Sequence, residues 1–125
     1  MKTIINSDKA PAPIGPYSQA VRAGNTLFIS GQIALDQSTG ELVMDSIEEE
    51  TEQVMRNLKY VIEEAGLDMS NIVKCSIFIT DMNNFTVINE VYGRYFTQDP
   101  PARETVEVSG LPKGVNVEVS AIAIA

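Results

Sequence analysis

The sequence predicts one domain, residues 1–125, that combines strands with two helices in the order strand, strand, helix, strand, helix, strand, strand. Three observations support this prediction. A length of 125 residues is typical of one domain. Two segments place apolar side chains at helical spacing, whereas several others alternate apolar and polar residues as strands do. No repeat, linker or low-complexity tract divides the chain.

The first predicted elements are the two strands of a hairpin. Two β-compatible runs, Ser18–Arg22 and Thr26–Ser30, flank a connection that contains a Gly-Asn turn. We expect the second strand to continue through Ala34, before a turn over Asp36–Glu41.

The clearest predicted helix begins after Ser46 and ends near Gly66. Ser46 and Glu49 have the spacing of a capping box, and Gly66 suits a left-handed C-terminal cap. Glu48, Glu49 and Glu50 crowd the first turn, either as a cation site or as a solvated helix start that matches the helix dipole. The apolar stripe comprises Ile47, Val54, Leu58, Val61, Ile62 and Ala65.

A strand is predicted from Ile72 to Thr80. Cys75 is either a small core residue or a nucleophile, and a nucleophile would need a nearby base or cation to form thiolate. The predicted core face comprises Val73, Cys75, Ile77 and Ile79.

A second helix follows, with Asn83 or Asn84 as its expected cap and Pro100-Pro101 at the end of the segment. Its apolar stripe comprises Phe85, Ile88, Val91, Tyr92, Tyr95 and Phe96.

The last two strands, Ala102–Ser109 and Val115–Ala125, are expected to pair as a hairpin across the turn-rich residues 110–114. Apolar residues must face each other across the ladder, because a slip of one residue reverses every side chain. The resulting register pairs Val106 with Val117.

The same register brings charged residues together on the other face. It pairs Thr105 with Glu118 and Arg103 with Ser120, so that Arg103 and Glu118 are diagonal neighbours. The pair is either a weak surface attraction or a small site. In a site, Arg103 would bind a substrate carboxylate and Glu118 would hold or deprotonate a water.

Composition excludes several kinds of chemistry. The chain has no histidine and one cysteine, which excludes a Ser-His-Asp triad, a Cys-His dyad, an intrachain disulfide and an ordinary zinc site. The net charge of −8 argues against nucleic-acid binding. No apolar run approaches a membrane span, and the N-terminus is no signal peptide, so we expect a cytoplasmic protein without membrane contact.

Five motifs are spread over essentially the whole chain. They are Ala12-Pro13-Ile14-Gly15-Pro16-Tyr17-Ser18-Gln19-Ala20, Ile29-Ser30-Gly31-Gln32-Ile33, Asn89-Glu90-Val91-Tyr92, Pro101-Ala102-Arg103 and Val117-Glu118-Val119. Together they resemble the Rid (YjgF-like) family, which includes the reactive intermediate deaminases, and Arg103 resembles the deaminase subfamily in particular.

The resemblance implies a chorismate-mutase-like α+β fold, with a mixed sheet and two helices packed on one face, assembled as a homotrimer with sites between subunits. It implies hydrolysis of 2-imino acids, such as 2-iminobutanoate and 2-iminopropanoate, or their enamines to 2-oxo acids and ammonia. No cofactor and no metal are implied.

The family's site residues carry over to six positions. Arg103 would hold the substrate carboxylate, Glu118 would position the attacking water, and Tyr17 would close the pocket. Asn89 would lie alongside. The backbone near Gly31 and Thr105 would contact the imine or its water. Many relatives have cysteine at the position of Thr105, which argues here against a thiol-dependent role.

Two other functional classes stay open. Some relatives are described as ribonucleases or translation inhibitors, although the acidic charge argues against that activity here. A non-catalytic regulator could use the same cleft to bind small carboxylates.

Overall fold

A computed structural model describes residues 1–125 and contains eight strands and two α-helices. Three short 3-10 turns, at Met69–Asn71, Met82–Asn84 and Pro112–Gly114, connect them. The strands are β1 Lys2–Ile5, β2 Ala20–Ala23, β3 Thr26–Gln32, β4 Leu35–Asp36, β5 Glu41–Leu42, β6 Ile72–Ile79, β7 Ala102–Glu107 and β8 Val117–Ile124. The helices are α1 Ile47–Glu64 and α2 Phe85–Gly93.

Six strands form one mixed sheet in the order β1-β2-β3-β8-β6-β7, and β4 and β5 form a separate small hairpin. All pairs in the large sheet are antiparallel except β6 with β7. Both helices pack against one face of this sheet, and they share one core with it. The architecture implied by the resemblance, a mixed sheet with two helices on one face, is confirmed. Neither helix combines the length and apolar character that crossing a bilayer requires.

The predicted pairing of the last two strands is wrong. β7 pairs in parallel with β6, and β8 lies between β3 and β6, so β7 and β8 do not touch as neighbours. The reason is the helix between β6 and β7, since a strand–helix–strand crossover returns the chain in the same direction. Val106 consequently lies on the exposed face rather than opposite Val117.

The ends of α1 agree closely with the sequence pattern. The Ser46 hydroxyl accepts a hydrogen bond from the Glu49 amide at 3.0 Å, although the return bond of a capping box is not formed. Gly66 has φ of +77°, and the Leu67 amide donates to the Ile62 carbonyl at 3.1 Å, as in a Schellman cap. One expectation fails here, since Glu50 is fully buried rather than solvated.

Two further predictions are corrected by local geometry. A register shift at the start of β6 turns Val73 outward and buries Ile72 in its place. The second helix ends at Gly93, before Pro100, and Asn84 makes no side-chain cap. Asp81 instead caps the 3-10 turn that precedes α2, where its side chain accepts from the Asn83 amide at 2.9 Å.

Candidate functional site

The first half of the candidate site is a cleft of about 310 Å³ on the helix-free face of the sheet. Glu118 of β8 forms one wall, and burial raises the pKa of its carboxyl group above the usual value. Gly31 of β3 lies directly beside it. A Cβ atom at Gly31 would lie 2.6 Å from the Glu118 carboxylate carbon, so glycine permits the close approach. The cleft is lined by Ile14, Tyr17, Ser30, Gly31, Ile33, Pro112 and Glu118.

Tyr17 reaches this cleft from the long N-terminal loop. Its ring is half exposed, and its hydroxyl accepts a hydrogen bond from the Ile14 amide at 3.3 Å. The structure thus brings together three of the six predicted residues, namely Tyr17, Gly31 and Glu118.

The second half surrounds Arg103 of β7, on the helix-covered face at the edge of the sheet. The Arg103 guanidinium donates to the Asn89 side-chain oxygen of α2 at 2.5 Å. It also lies 5.0 Å from the ring centroid of Tyr92 and 5.7 Å from that of Phe85. A cleft of about 380 Å³ opens beside it, lined by Asn89, Tyr92, Gly93, Phe96, Pro100, Pro101 and Arg103.

Arg103 has no acidic partner. The ion pairs of the chain involve Lys74 and Arg94, and the Arg103 side chain bonds only the neutral amide of Asn89. Its charge is therefore free to meet a carboxylate from outside the chain.

Thr105 and Cys75 lie on the same face as Arg103. Thr105 follows Arg103 by two positions on β7, and its hydroxyl is buried without a hydrogen-bond partner. Cys75 is fully buried in the core, and burial raises the pKa of its thiol, which opposes thiolate formation. The interpretation of Cys75 as a core residue agrees with this geometry.

The two halves do not meet within one chain, contrary to the predicted diagonal pair. Glu118 pairs with Phe78 on β6, whereas Arg103 pairs with Cys75 on the other side of the same strand. Cys75 and Phe78 differ by an odd number of positions, so Arg103 and Glu118 point to opposite faces of the sheet. In addition, β6 lies between their two strands, β7 and β8, and neighbouring strands of a sheet are about 5 Å apart.

Sequence reasoning placed Phe85 and Tyr92 in the core stripe and missed their contact with Arg103. A signal was available, because Phe85, Asn89 and Tyr92 are spaced by four and three positions and so share one face of α2. The structure gathers no group of three acidic or cysteine side chains that could hold a metal ion.

Known proteins resemble this chain over nearly its full length. A family model described as endoribonuclease L-PSP matches residues 7–125. Protein DfrA of Myxococcus xanthus is 56% identical over 122 residues, which cover 96% of this chain and 93% of the relative. The 2-iminobutanoate/2-iminopropanoate deaminase of Mus musculus is 45% identical over 124 residues, which cover 99% and 92%.

Solved structures have the same fold. The Rid-family protein YyfA of Yersinia pestis is 46% identical, with a TM-score of 0.97 and full coverage of both chains. The E. coli protein TdcF, solved with bound serine, is 40% identical, with a TM-score of 0.95 over 98% of each chain.

Proposed function

Since the chain belongs to the Rid (YjgF) family, we propose that it hydrolyses reactive 2-imino acids to 2-oxo acids and ammonia. The substrates are small imines such as 2-iminobutanoate and 2-iminopropanoate, or their enamine tautomers. One observation carries the proposal, namely the pairing of an arginine without an acidic partner in one half-site with a half-buried carboxyl group of raised pKa in the other. A relative named for this activity supports it.

Arg103 binds the substrate carboxylate in this proposal. A guanidinium can donate two parallel hydrogen bonds to a carboxylate, and Asn89 occupies only one of its nitrogens. The rings of Tyr92 and Phe85 restrict its movement, so little side-chain entropy is lost when substrate binds. The serine bound to TdcF is a small amino acid of similar chemistry, and it agrees with a carboxylate ligand.

Glu118 accepts a proton from the attacking water. The raised pKa makes it a better proton acceptor than an exposed carboxylate. The water oxygen bonds to the imine carbon, the C=N electron pair moves to nitrogen, and nitrogen takes up a proton, which balances the one that Glu118 accepted and returns the carboxylate to its ionised form. The resulting carbinolamine then forms C=O as the C–N bond breaks, and its hydroxyl proton leaves with the amine as ammonia. Imine plus water thus gives 2-oxo acid plus ammonia.

Three other residues complete the proposed site. Tyr17 closes the cleft over the reacting imine, and the backbone at Gly31 and Thr105 contacts the imine or its water. Because the carbon of an imine is already electrophilic, holding the water in the right orientation is enough to accelerate its hydrolysis.

We further propose a homotrimer in which the Arg103 half-site of one subunit faces the Glu118 half-site of the next. The separation of the two half-sites within one chain supports this assembly. The apolar side chains on the helix-free face support it too, since Phe28, Val106 and Ile124 are 48%, 43% and 39% exposed in the single chain.

A coupled assay tests the proposed activity. Purified protein is added to a threonine dehydratase reaction, and release of 2-oxobutanoate or ammonia is compared with the rate in buffer alone. We expect faster release, and loss of this gain in Arg103→Ala. Arg94→Ala is the matched control, because Arg94 is paired with acidic side chains, among them Glu52, and lines neither cleft. No gain over buffer with the unaltered protein contradicts the proposal.

The activity in the family model's description is not proposed for this chain. A net charge of −8 opposes binding to a polyanion such as RNA. The candidate site offers a single arginine, Arg103, rather than a cluster of cations that could bind several phosphates.

A further inference from the structure

The segment that carries Tyr17 is long and irregular. From Asn6 to Gln19 the chain forms no helix and no strand. Connections of this length without secondary structure are uncommon in compact domains and usually serve a function. We call residues 6–19 the Tyr17 loop. Without an internal anchor, such a loop would place Tyr17 over the Glu118 cleft for only part of the time.

The anchor is the side chain of Gln19. It is 3% exposed, and its amide oxygen accepts from the Ser7 backbone N–H at 2.7 Å. Its amide nitrogen donates to the carbonyl oxygens of Ser7 at 3.1 Å and Pro11 at 3.0 Å, with Ala10 at 3.4 Å. The two bonds with Ser7 reproduce the pairing of neighbouring residues in an antiparallel sheet.

Glutamine is well suited to this position. One backbone donor meets the amide oxygen, and the two N–H bonds meet the two nearest carbonyls, those of Ser7 and Pro11, with the more distant Ala10 carbonyl sharing one of them. A second contact of the early part of the loop is weaker. The Ala12 amide donates to the Gln37 side chain at 3.3 Å, but this bond is exposed to solvent.

The backbone of the loop's last residues is fixed to β3. The Ser30 amide donates to the Gln19 carbonyl at 2.9 Å, and the Ser30 hydroxyl donates to the Ser18 carbonyl at 2.6 Å. Ser30 directly precedes Gly31, which contacts Glu118. Gln19 therefore joins the early part of the loop to the strand that forms the floor of the cleft.

We infer that Gln19 is a positioning residue, which holds the Tyr17 loop against β3 so that Tyr17 lies over the Glu118 cleft. Its effect on catalysis rests on the proposed function, whereas its effect on loop order does not. Gln19 acts through Tyr17 and makes no contact with the reacting atoms in this proposal.

Hydrogen exchange tests the loop order without reference to activity. In the unaltered protein the Ser7 amide should exchange as slowly as the ladder amides of β2, although it lies in a loop. In Gln19→Met, which keeps the side-chain length but makes no hydrogen bonds, exchange across residues 7–17 should rise about tenfold or more. Fast exchange of Ser7 in the unaltered protein overturns the inference, even if the variant does not fold.

Gln53→Met is the matched control for this experiment. Gln53 is 5% exposed and its side chain also bonds polar partners, Arg56 and Asn57, but it lies on α1. The control should leave exchange of the Tyr17 loop unchanged. Equal exchange of the loop in both variants overturns the inference.

A double-mutant cycle tests the link to catalysis. Gln19→Met should lower kcat/KM about tenfold, mainly through KM, while Gln53→Met should not. In a Tyr17→Ala background, Gln19→Met should lower kcat/KM by less than twofold further, because the group it positions is gone. Equal losses in both backgrounds contradict action through Tyr17. If the unaltered protein shows no deaminase activity, the proposed function fails, and the exchange experiments still decide the role of Gln19.

Discussion

Gly31 determines where the Glu118 carboxyl group lies. A Cβ atom there would come within 2.6 Å of the carboxylate carbon and 2.8 Å of Cγ, so the Glu118 side chain would have to shift. We expect Gly31→Ala to displace Glu118 and to lower kcat/KM by about 10- to 100-fold. Steady-state kinetics check this, with Gly110→Ala as the control because a Cβ at Gly110 meets nothing within 4 Å. Equal kcat/KM in both variants would contradict it.

The raised pKa of Glu118 predicts a pH dependence. As the proposed base, Glu118 must be ionised, so kcat/KM should fall as pH drops through a pKa above the usual 4.5, after subtraction of the rate in buffer. Glu118→Gln should lose both the activity and this acid limb. An acid limb that persists in Glu118→Gln would assign the base to another group.

The same pKa shift predicts the direction in which the stability of the protein changes with pH. Burial disfavours the ionised form, so the unfolded chain releases the Glu118 proton at lower pH than the folded chain does. The free energy of unfolding, measured relative to Glu118→Gln, should therefore fall as pH rises from below 4.5 through the raised pKa. Urea unfolding of both proteins across this range measures the difference.

Single residues were predicted well where a local pattern reports burial. Cys75 and the middle of the apolar stripe of α1 lie in the core as alternation and helical spacing indicate, while Ile47 and Ala65 at its ends are partly buried. The burial of Glu50 could not be predicted, since its partner is Asn116, distant in sequence. Val73 was misplaced because a register shift in the sheet leaves no mark in the pattern of one strand.

At the scale of elements, the sequence predicts where each strand lies in the chain better than it predicts which strands pair with it. The central position of β8 fits its alternating buried residues, and the exposed outer face of β7 fits an edge strand. The pairing of β7 depends on α2. This helix packs on the sheet between β6 and β7, so that β7 begins at the same end of the sheet as β6 and runs parallel to it. Proximity in sequence favoured a hairpin of β7 with β8, but tertiary packing places β7 beside β6 instead.

One buried contact joins α1 to the entry of β8. The two carboxylate oxygens of Glu50 accept from the Asn116 backbone N–H and side-chain amide, each at 2.7 Å. Glu50→Ala would leave both donors without a partner, and we expect a loss of about 2–4 kcal/mol in the free energy of unfolding. Urea unfolding measures it, with exposed Glu49→Ala expected to change stability by about 0.5 kcal/mol or less. Similar values for the two variants would contradict a role for this contact.

At the scale of the whole molecule, the candidate residues could be predicted but their grouping could not. Strand alternation singled out Arg103 and Glu118, and resemblance added Tyr17. The predicted hairpin then placed Arg103 beside Glu118, whereas the sheet places them on opposite faces, with β6 between their strands. In the proposed trimer a second chain closes this separation, and such closure is a property of the assembly rather than of any local pattern.

Mixed assembly tests whether one site uses two chains. Arg103→Ala and Glu118→Ala should each be inactive alone. After they are unfolded, mixed in equal amounts and refolded, about a quarter of the interfaces in a ring-shaped trimer should combine an intact Arg103 with an intact Glu118. Activity should return to about that fraction of the unaltered protein, because each intact pair comes from two different variants.

The control for this experiment is a mixture of each variant with itself, refolded in the same way, which should stay inactive. A site confined to one chain would never regain activity, since every chain in the mixture lacks one of the two residues. Light scattering on the unaltered protein adds an independent check, and a monomer at micromolar concentration would contradict the trimer. Because complementation requires both half-sites to be functional, recovered activity would assign Arg103 and Glu118 to one reaction centre and the centre to the boundary between subunits.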